Sequence, residues 1–371
     1  MKILVIIYEF PPIGGGGGRA AYDICIELAK RGHQITVLTA HMQGLPKQEE
    51  LNGIHILRIP SLRKEAFRAS FITMLAYVIF GFWAGLKHIR YNRPEIMHSH
   101  FAVPSGALAW MLSIITKTPY ILTAHLGDVP GGVPEKTDKW FRWLKPFTHF
   151  IWKRAKRVIA VSQYTRSLAL KHYPVPIQVI PNGVDVLQKN SPEIKINKPT
   201  QIVFAGRMVS QKNPLFIIKV LAQLKDLDWH CTMLGDGPLF NSVKDEIAKN
   251  NLQTRFTLSG WVTPEDVVNQ FSTSDILFMP SLSEGLPVTG VQALANGLAF
   301  VVSDIGGFAD LVDENQNGFL IDAQNTDAFV RALRNLISVP DLLMKLRQAS
   351  LTKAKQFDIV QVTNEYEKLL K

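Results

Sequence analysis

The reading of this chain turns on S-L-S-E-G-L-P-V-T-G-V-Q-A-L-A-N, residues 281–296. Glu284 puts a carboxylate in a turn beside Gly285, with Leu286 and Pro287 next. Pro287 stands where a helix is expected to begin, a position that suits its fixed φ and missing N–H. The amides of that helix start, running on through Val288, and the positive end of its dipole make a site for a phosphate. Gln292 comes eight residues after Glu284, about two helical turns on and near the same side. An acid, an anion site and a hydrogen-bonding amide would then share one small space. That combination suits a nucleotide-linked sugar, which has hydroxyls at both ends and a pyrophosphate between.

A β–α–β rhythm surrounds this segment. Residues 3–7 are a short continuous apolar run, as expected for a strand buried on both faces. Residues 20–30 have helical spacing and end at Gly32, a C-cap signal, and 34–39 read as the next strand. Further strands are expected at 54–59, 96–98, 120–123, 158–161 and 178–180. The rhythm restarts at 201–205 and recurs at 231–234, 255–259, 276–279 and 300–302. Between the halves, 185–200 is polar and contains proline, a linker signal, and 358–370 reads as a final helix. The fold class is therefore α/β, with mainly parallel sheets covered by helices. In such sheets ligands sit beyond the carboxyl ends of the strands.

Several motifs fall at those ends. Residues 14–18 are five consecutive glycines after F-P-P. Glycine lets backbone amides approach a ligand closely, and a helix start just after adds an anion site. Gly15, Gly17 and Ala20 also fit G-x-G-x-x-A. Two prolines separate the strand from these glycines, however, and no acid ends the second strand, which argues against a dinucleotide fingerprint. Arg207 and Lys212, in A-G-R-M-V-S-Q-K-N, lie on a loop between a strand and a helix. Two cations there could neutralise a leaving diphosphate. As an isolated pair they would read sooner as solvated surface charges. His125, in T-A-H-L-G-D, and His100, in H-S-H-F, each end a strand. No D-x-D motif stands in a metal-binding context, nor is there a clustered His/Cys site, so no metal is expected.

Taken together these segments resemble the family 4 retaining glycosyltransferases. The carrying residues are Glu284 with its partner position eight residues on, the Gly15–Gly16 pair followed by L-A-K-R-G-H (28–33), G-R-M-V-S-Q-K (206–212) and the His125 turn. P-N-G-V-D (181–185), L-G-D-G-P (234–238) and G-W-V (260–262) match as well, in order along nearly the whole chain. The resemblance implies a GT-B fold: two Rossmann-like domains with parallel sheets facing across a cleft, and a C-terminal helix crossing back to the first. It implies an acceptor-binding domain at 1–185, completed by the helix 356–371, and a nucleotide-sugar-binding domain at 186–355, with 181–185 as hinge. Catalytic roles fall to His125, Arg207, Lys212 and Glu284. Donor contacts fall to Gly15, Gly16, Gly235, Gly237, Val262, Gly285, Leu286, Pro287, Val288 and Gln292, with backbone groups near Val262 reading the base. Asp128 is expected to orient His125 or to meet the acceptor. His100 is an acceptor-contact candidate, with a structural role equally open. A front-face mechanism, in which the leaving phosphate helps deprotonate the acceptor, is inherited from the family.

One departure stands out. The family carries a second acid where this chain has Gln292. An amide can accept from one ribose hydroxyl and donate to another, but it lacks the stronger charge-assisted bonds. Weaker or altered nucleotide binding is therefore expected.

The bulk numbers agree with a two-domain enzyme. The chain has 371 residues, 47% of them hydrophobic, and only two cysteines, Cys25 and Cys231, which fits a reducing compartment. Residues 1–185 carry 23 Lys/Arg against 11 Asp/Glu, whereas the remainder is near neutral, with 18 against 20. A basic half suggests an anionic partner. No nucleic-acid motif is present, so an anionic membrane surface is preferred. Residues 69–86 have no charged side chain and are flanked by Arg63, Lys64, Arg68 and by Lys87, Arg90, Arg93. A span here would interrupt a sheet, so a buried helix or one at a membrane surface is expected. Residues 140–157 interleave aromatic and basic side chains, which reads equally as a headgroup interface or as a core helix with a solvated face.

The expectation is a cytoplasmic, peripheral-membrane, metal-independent hexosyltransferase. It would use a nucleotide-diphospho-sugar donor and an envelope-glycan or lipid-linked acceptor. A nucleotide-sugar 2-epimerase on the same fold and a non-catalytic sugar-nucleotide or membrane-binding protein are the alternatives.

Overall fold

The computed structural model describes residues 1–65, 69–133, 147–186 and 194–371. Arg68, the aromatic–basic residues 140–146 and part of the expected linker, 187–193, lie outside these. The chain divides into two compact units: Met1–Gly183 with Ile359–Lys371, and Val184–Asp358.

The first unit is built on eight strands: β1 (Lys2–Ile6), β2 (Gln34–Met42), β3 (Gln48–Leu51), β4 (Ile54–Arg63), β5 (Ile96–His100), β6 (Tyr120–Ala124), β7 (Arg157–Ala160) and β8 (Ile177–Val179). Their order is β3-β4-β2-β1-β5-β6-β7-β8. All neighbours pair in parallel except β3, which runs antiparallel to β4. Strand order reverses between β1 and β5, so this sheet opens a crevice at their carboxyl ends. Alternate side chains feed two cores. Ile3, Val5, Ile96 and Ile121 face one layer, which includes Tyr22 and Leu28 of the helix Gly16–Lys30 and Val362 and Tyr366 of the helix Ile359–Leu370. Leu4, Ile6, Met97 and Leu122 face the other, which includes the helices Phe71–Asn92, Ala107–Thr116 and 147–154.

The last helix is held to the first by more than apolar contact. Arg31 donates to Asn364 Oδ1 at 2.6 Å and to Glu367 Oε2 at 3.1 Å, and His33 Nε2 lies 3.4 Å from Glu367 Oε1. Lys371 and Arg31 hold the Glu367 carboxyl down to about 2. L-A-K-R-G-H thus has a structural task here, fixing a helix more than three hundred residues away in sequence.

Two expectations are corrected. The first helix begins at Gly16, inside the glycine run, rather than near Ala20. A Cβ at Gly18 would come within 2.5 Å of the Glu9 carbonyl oxygen, and one at Gly17 within 2.6 Å of the Phe101 ring, so these two positions of the first turn call for glycine. Of the two readings open for residues 140–157, Trp152 takes the core one, which corrects the interfacial alternative at that position: it is fully buried and stacks on Tyr173 with ring centroids 4.3 Å apart. Residues 69–86, by contrast, form the greater part of a helix that is half packed and half exposed. Ser70 and Thr73 cap its start reciprocally, and the Tyr77 hydroxyl donates to the Leu38 carbonyl at 2.9 Å.

The second unit has six strands: β9 (Thr200–Ala205), β10 (Trp229–Leu234), β11 (Phe256–Gly260), β12 (Ile276–Met279), β13 (Ala299–Ser303) and β14 (Gly318–Ile321). All pair in parallel, in the order β11-β10-β9-β12-β13-β14. The reversal falls between β9 and β12. Asp275, just before β12, is buried. It accepts the Gln201 amide at 2.8 Å and pairs with Arg347, which also donates to the Gly297 carbonyl at 2.7 Å. A buried carboxylate needs such partners to remain charged.

Candidate active site

In the second unit the loops after β9 and β12 are laced together at the switch point. Lys212 closes a 3₁₀ turn, Ser210–Lys212, and Asn213 then adopts a left-handed conformation (φ 52°) ahead of the next helix. Lys212 Nζ donates to Glu284 Oε1 at 2.5 Å. Beside this pair Gln211 Nε2 donates to the Ser283 carbonyl at 2.9 Å, and the Leu282 amide donates to the Gln211 carbonyl at 2.7 Å. Glu284 is only 5% exposed, so the ammonium is what keeps its charge compatible with burial. Arg207 stands on the exposed side of the same loop.

Neighbouring loops brace the pair. The Gly307 amide donates to the Glu284 carbonyl at 3.0 Å. Gly235 and Gly237 lie against the 206–208 backbone: Gly206 donates to the Leu234 carbonyl and Met208 to that of Asp236, both at 2.9 Å. A Cβ at Gly235 would stand 2.1 Å from the Gly206 carbonyl oxygen. The close approach that the sequence suggested for a ligand is thus made first to a neighbouring loop. Val262 follows β11, before a helix capped by Thr263 and Asp266.

The helix at the heart of the opening motif runs Val288–Ala295, with Pro287 as its N-cap (φ −67°, ψ 122°) rather than its first residue. Residues 284–287 are not helical, so the two-turn spacing from Glu284 to Gln292 does not hold as expected. Leu286, Pro287 and Val288 are buried, which leaves main-chain groups as what they can offer a ligand; Gly285 and Gln292 are half-buried.

In the first unit, Gly15 caps the helix Gly16–Lys30, and both glycines are exposed. His125 follows β6. Its ring stacks on Phe101 at 4.3 Å, and a Cβ on Gly17 would lie 3.3 Å from its Cε1. Burial pushes the His125 imidazole down to about 4, so it is neutral near pH 7. Asp128 fixes its backbone: Oδ2 accepts the His125 amide at 2.8 Å and Oδ1 the Ala102 amide at 2.7 Å. Burial pushes the Asp128 carboxyl up to about 7 in spite of these bonds. Of the two sequence options for Asp128, the structure displays the orienting one. His100 is 1% exposed and sealed beneath His125, with ring centroids 5.9 Å apart, so it reaches no surface ligand. Neither of its ring nitrogens has a hydrogen-bond partner, and burial holds its basicity well down. His98 lies alongside at 4.2 Å and bonds Thr123 Oγ1 at 2.9 Å.

Sequence reasoning assigned no task to Phe101, Gln211 or Ser283. Phe101 follows the H-S-H run directly, and Gln211 lies inside a quoted motif, but their tasks depend on loops that only folding brings together. Among the described residues no group of three or more His, Cys, Asp or Glu is placed to hold a metal ion.

Comparison with known proteins agrees with these two halves. Residues 14–187 match the model of Glycosyltransferase Family 4, and residues 188–353 match that of Glycosyl transferases group 1. An uncharacterized glycosyltransferase of Methanocaldococcus jannaschii is 25% identical over 377 residues, spanning 100% of this chain and 99% of that protein. The UDP-Gal:alpha-D-GlcNAc-diphosphoundecaprenol alpha-1,3-galactosyltransferase of Escherichia coli is 30% identical over 267 residues, 67% of each chain. Among solved structures, sucrose-phosphate synthase from Thermosynechococcus elongatus superposes with a TM-score of 0.85 at 17% identity, covering 99% of this chain and 97% of its own. Two parallel-sheet units, the order of the motifs and both family matches lead to one conclusion: this chain belongs to the family 4, group 1 glycosyl transferases and is a glycosyltransferase of the GT-B fold.

Proposed function

We propose that this enzyme moves a hexose from a nucleoside-diphosphate sugar to a lipid-linked or envelope-glycan acceptor, retaining the anomeric configuration and needing no metal. The observation that carries the reading is the Lys212–Glu284 pair with Arg207 on the same loop, at the switch point of the second unit's sheet. When the donor is bound, Lys212 and Arg207 offset the charge of the diphosphate as the bond from sugar C1 to the phosphate oxygen breaks. Glu284 then takes up sugar hydroxyls, and Gln292 takes up ribose. The acceptor oxygen bonds to C1 from the face the leaving group departs, and its proton passes to the leaving phosphate. Two cations and helix-start amides supply positive charge that a divalent ion would otherwise bring.

The acceptor class is supported by the Escherichia coli relative, whose name states a diphosphoundecaprenol-linked sugar. A lipid-linked acceptor, with the basic charge of residues 1–185, favours work at the inner face of the cytoplasmic membrane, on an anionic surface.

The test is thermal stabilisation by UDP, GDP and ADP in the presence of a chelator, followed by an NMR assignment of the product anomer. One diphosphate should raise the melting temperature of the wild type, and Arg207→Ala should abolish the shift. A shift that appears only on adding a divalent ion would overturn metal independence, and an inverted product would overturn retention.

A further inference from the structure

The helix Phe71–Asn92 is long and apolar enough to cross a membrane, yet it is packed along one side of the first unit. Tyr77, Gly81, Gly85, Leu86 and Ile89 are buried. Gly81 and Gly85 lie so close to the helix Ala107–Thr116 that a Cβ on either would approach Leu108 or Leu112 to 2.7 Å. That packing leaves the opposite side as an apolar stripe. Ile72, Leu75, Ile79 and Trp83 are spaced by three, four and four residues, one helical face, and Trp83 is 66% exposed.

The stripe does not end with that helix. Ile115 on the next helix is exposed, as are Phe147 and Phe150 on the helix 147–154. These elements touch: Phe150 meets Trp110 with ring centroids 6.4 Å apart, and Arg154 donates to the Ser113 hydroxyl and carbonyl at 3.2 Å. Three neighbouring helices therefore each expose large apolar side chains. A face with this many exposed aromatic and branched side chains marks an interaction site.

Charge selects the partner. Among their described residues, none of the three helices has an Asp or Glu. Exposed Lys87, Arg90, Lys117 and Lys153 stand on them or at their ends. Apolar side chains with cations on the same helices match a bilayer with anionic headgroups, in which the side chains enter the acyl boundary and the cations meet the phosphates. A protein partner of ordinary composition would offer no such uniform counter-charge.

Position then links the face to the site. Thr73, next to Ile72 in the first turn, accepts a 2.9 Å bond from the Tyr8 hydroxyl, and the Tyr8 amide bonds Ser105 Oγ at 2.9 Å, in the turn between β5 and the helix Ala107–Thr116. The apolar stripe thus starts at the carboxyl edge of the sheet, the edge that carries His125.

We propose that this three-helix face seats the enzyme on an anionic bilayer. An acceptor whose tail remains in the membrane then reaches the carboxyl edge of the sheet from beside Ile72. The last clause rests on the lipid-linked acceptor proposed above; the docking itself does not.

The experiment is co-sedimentation of the full chain with vesicles of 70% phosphatidylcholine and 30% phosphatidylglycerol, against pure phosphatidylcholine. Wild type should pellet with the anionic vesicles and far less with the neutral ones. Ile79→Glu with Trp83→Glu should lower partitioning at least about tenfold with an unchanged melting temperature, because both side chains are already exposed. Each of Lys87→Glu and Arg90→Glu should cost at least about fivefold on anionic vesicles and little on neutral ones. Wild type that stays in the supernatant overturns the proposal, as does a double variant that binds like wild type. So does a wild-type dimer that the double variant converts to monomer without any vesicle binding, since the face then joins two copies. The diphosphate melting shift, read on the same samples, separates the two readings: its loss would sink the donor assignment and leave the vesicle result standing.

Discussion

The two units place chemistry at the switch points of similar sheets in opposite ways. In the second, a charged lysine is locked to a buried glutamate, and side-chain and main-chain bonds tie two loops around the pair. In the first, the His125 turn after β6 holds an uncharged imidazole, and the Asp128 carboxyl beside it spends its oxygens on backbone amides. One loop pair buries a charge against its counter-charge, whereas the His125 turn keeps its buried groups neutral or bonded to main chain. The difference teaches that a shared fold leaves the electrostatics of each crevice free to differ.

The sharpest way to break the comparison is at Lys212 and Glu284. Glu284→Ala should reduce kcat by about 10²–10³-fold, and Lys212→Ala by a similar factor because it strands a buried carboxylate. The double variant should be little worse than either single one, since the two act as a unit. Steady-state kinetics on all three decides this, and additive losses would show that the pair is not coupled.

Acid should separate the units next. Burial lowers the basicity of His98 to about 3 and of His125 to about 4, and holds that of His100 well below its ordinary value. A histidine whose folded value is depressed contributes stability above its unfolded value near 6.5, and that contribution is lost as the pH falls toward the folded value. Hydrogen exchange should therefore quicken in β5 and β6 between about pH 6 and 4, before the strands of the second unit respond. Asp128 acts in the opposite sense. Its raised value favours the fold below about pH 4 and loses that effect as the pH rises toward 7. Simultaneous loosening of both sheets would contradict the contrast.

A smaller effect sharpens the donor side. Gln292→Glu should tighten nucleoside-diphosphate binding by about three- to tenfold through charge-assisted bonds to ribose, read by calorimetry. A tighter complex without faster turnover would favour a binding protein over an enzyme. Smallest of all, Arg31→Ala should lower the melting temperature by only a few degrees, because its bonds to Asn364 and Glu367 are partly exposed and screened. Activity per folded molecule should be unchanged.

The sheets were legible in sequence because parallel strands covered on both faces appear as unbroken apolar runs, as in β1 and β12. β3 was not legible: Q-E-E-L is exposed and carries two acids, the composition of a protected edge rather than of a core strand. β14 opens on a glycine and has half-exposed centre residues, so it carries no clear period. At the site, residue types could be read, but their tasks only partly. Glu284 and Lys212 were named from motifs, whereas the bond between them depends on two loops seventy-two residues apart. Trp152 could be read as interfacial or core because its sequence neighbours are basic, and the fold turns it inward onto Tyr173. In residues 69–86 uniform apolarity concealed two faces, and only the contacts of Gly81 and Gly85 reveal which side is covered.

The clamp on the last helix has a further consequence, for chain connectivity. Met1 lies 3.3 Å from His33 through its amino group, and His33 also meets Glu367 near the other end of the chain. The first unit therefore brings the two chain ends to neighbouring places, whereas the second occupies one unbroken stretch between Val184 and Asp358. A circularly permuted chain, opened before Val184 and joined from Lys371 to Met1 by a short glycine–serine bridge, would encode each unit as one continuous segment. Either half could then be produced alone, or exchanged with that of a relative, by a single cut.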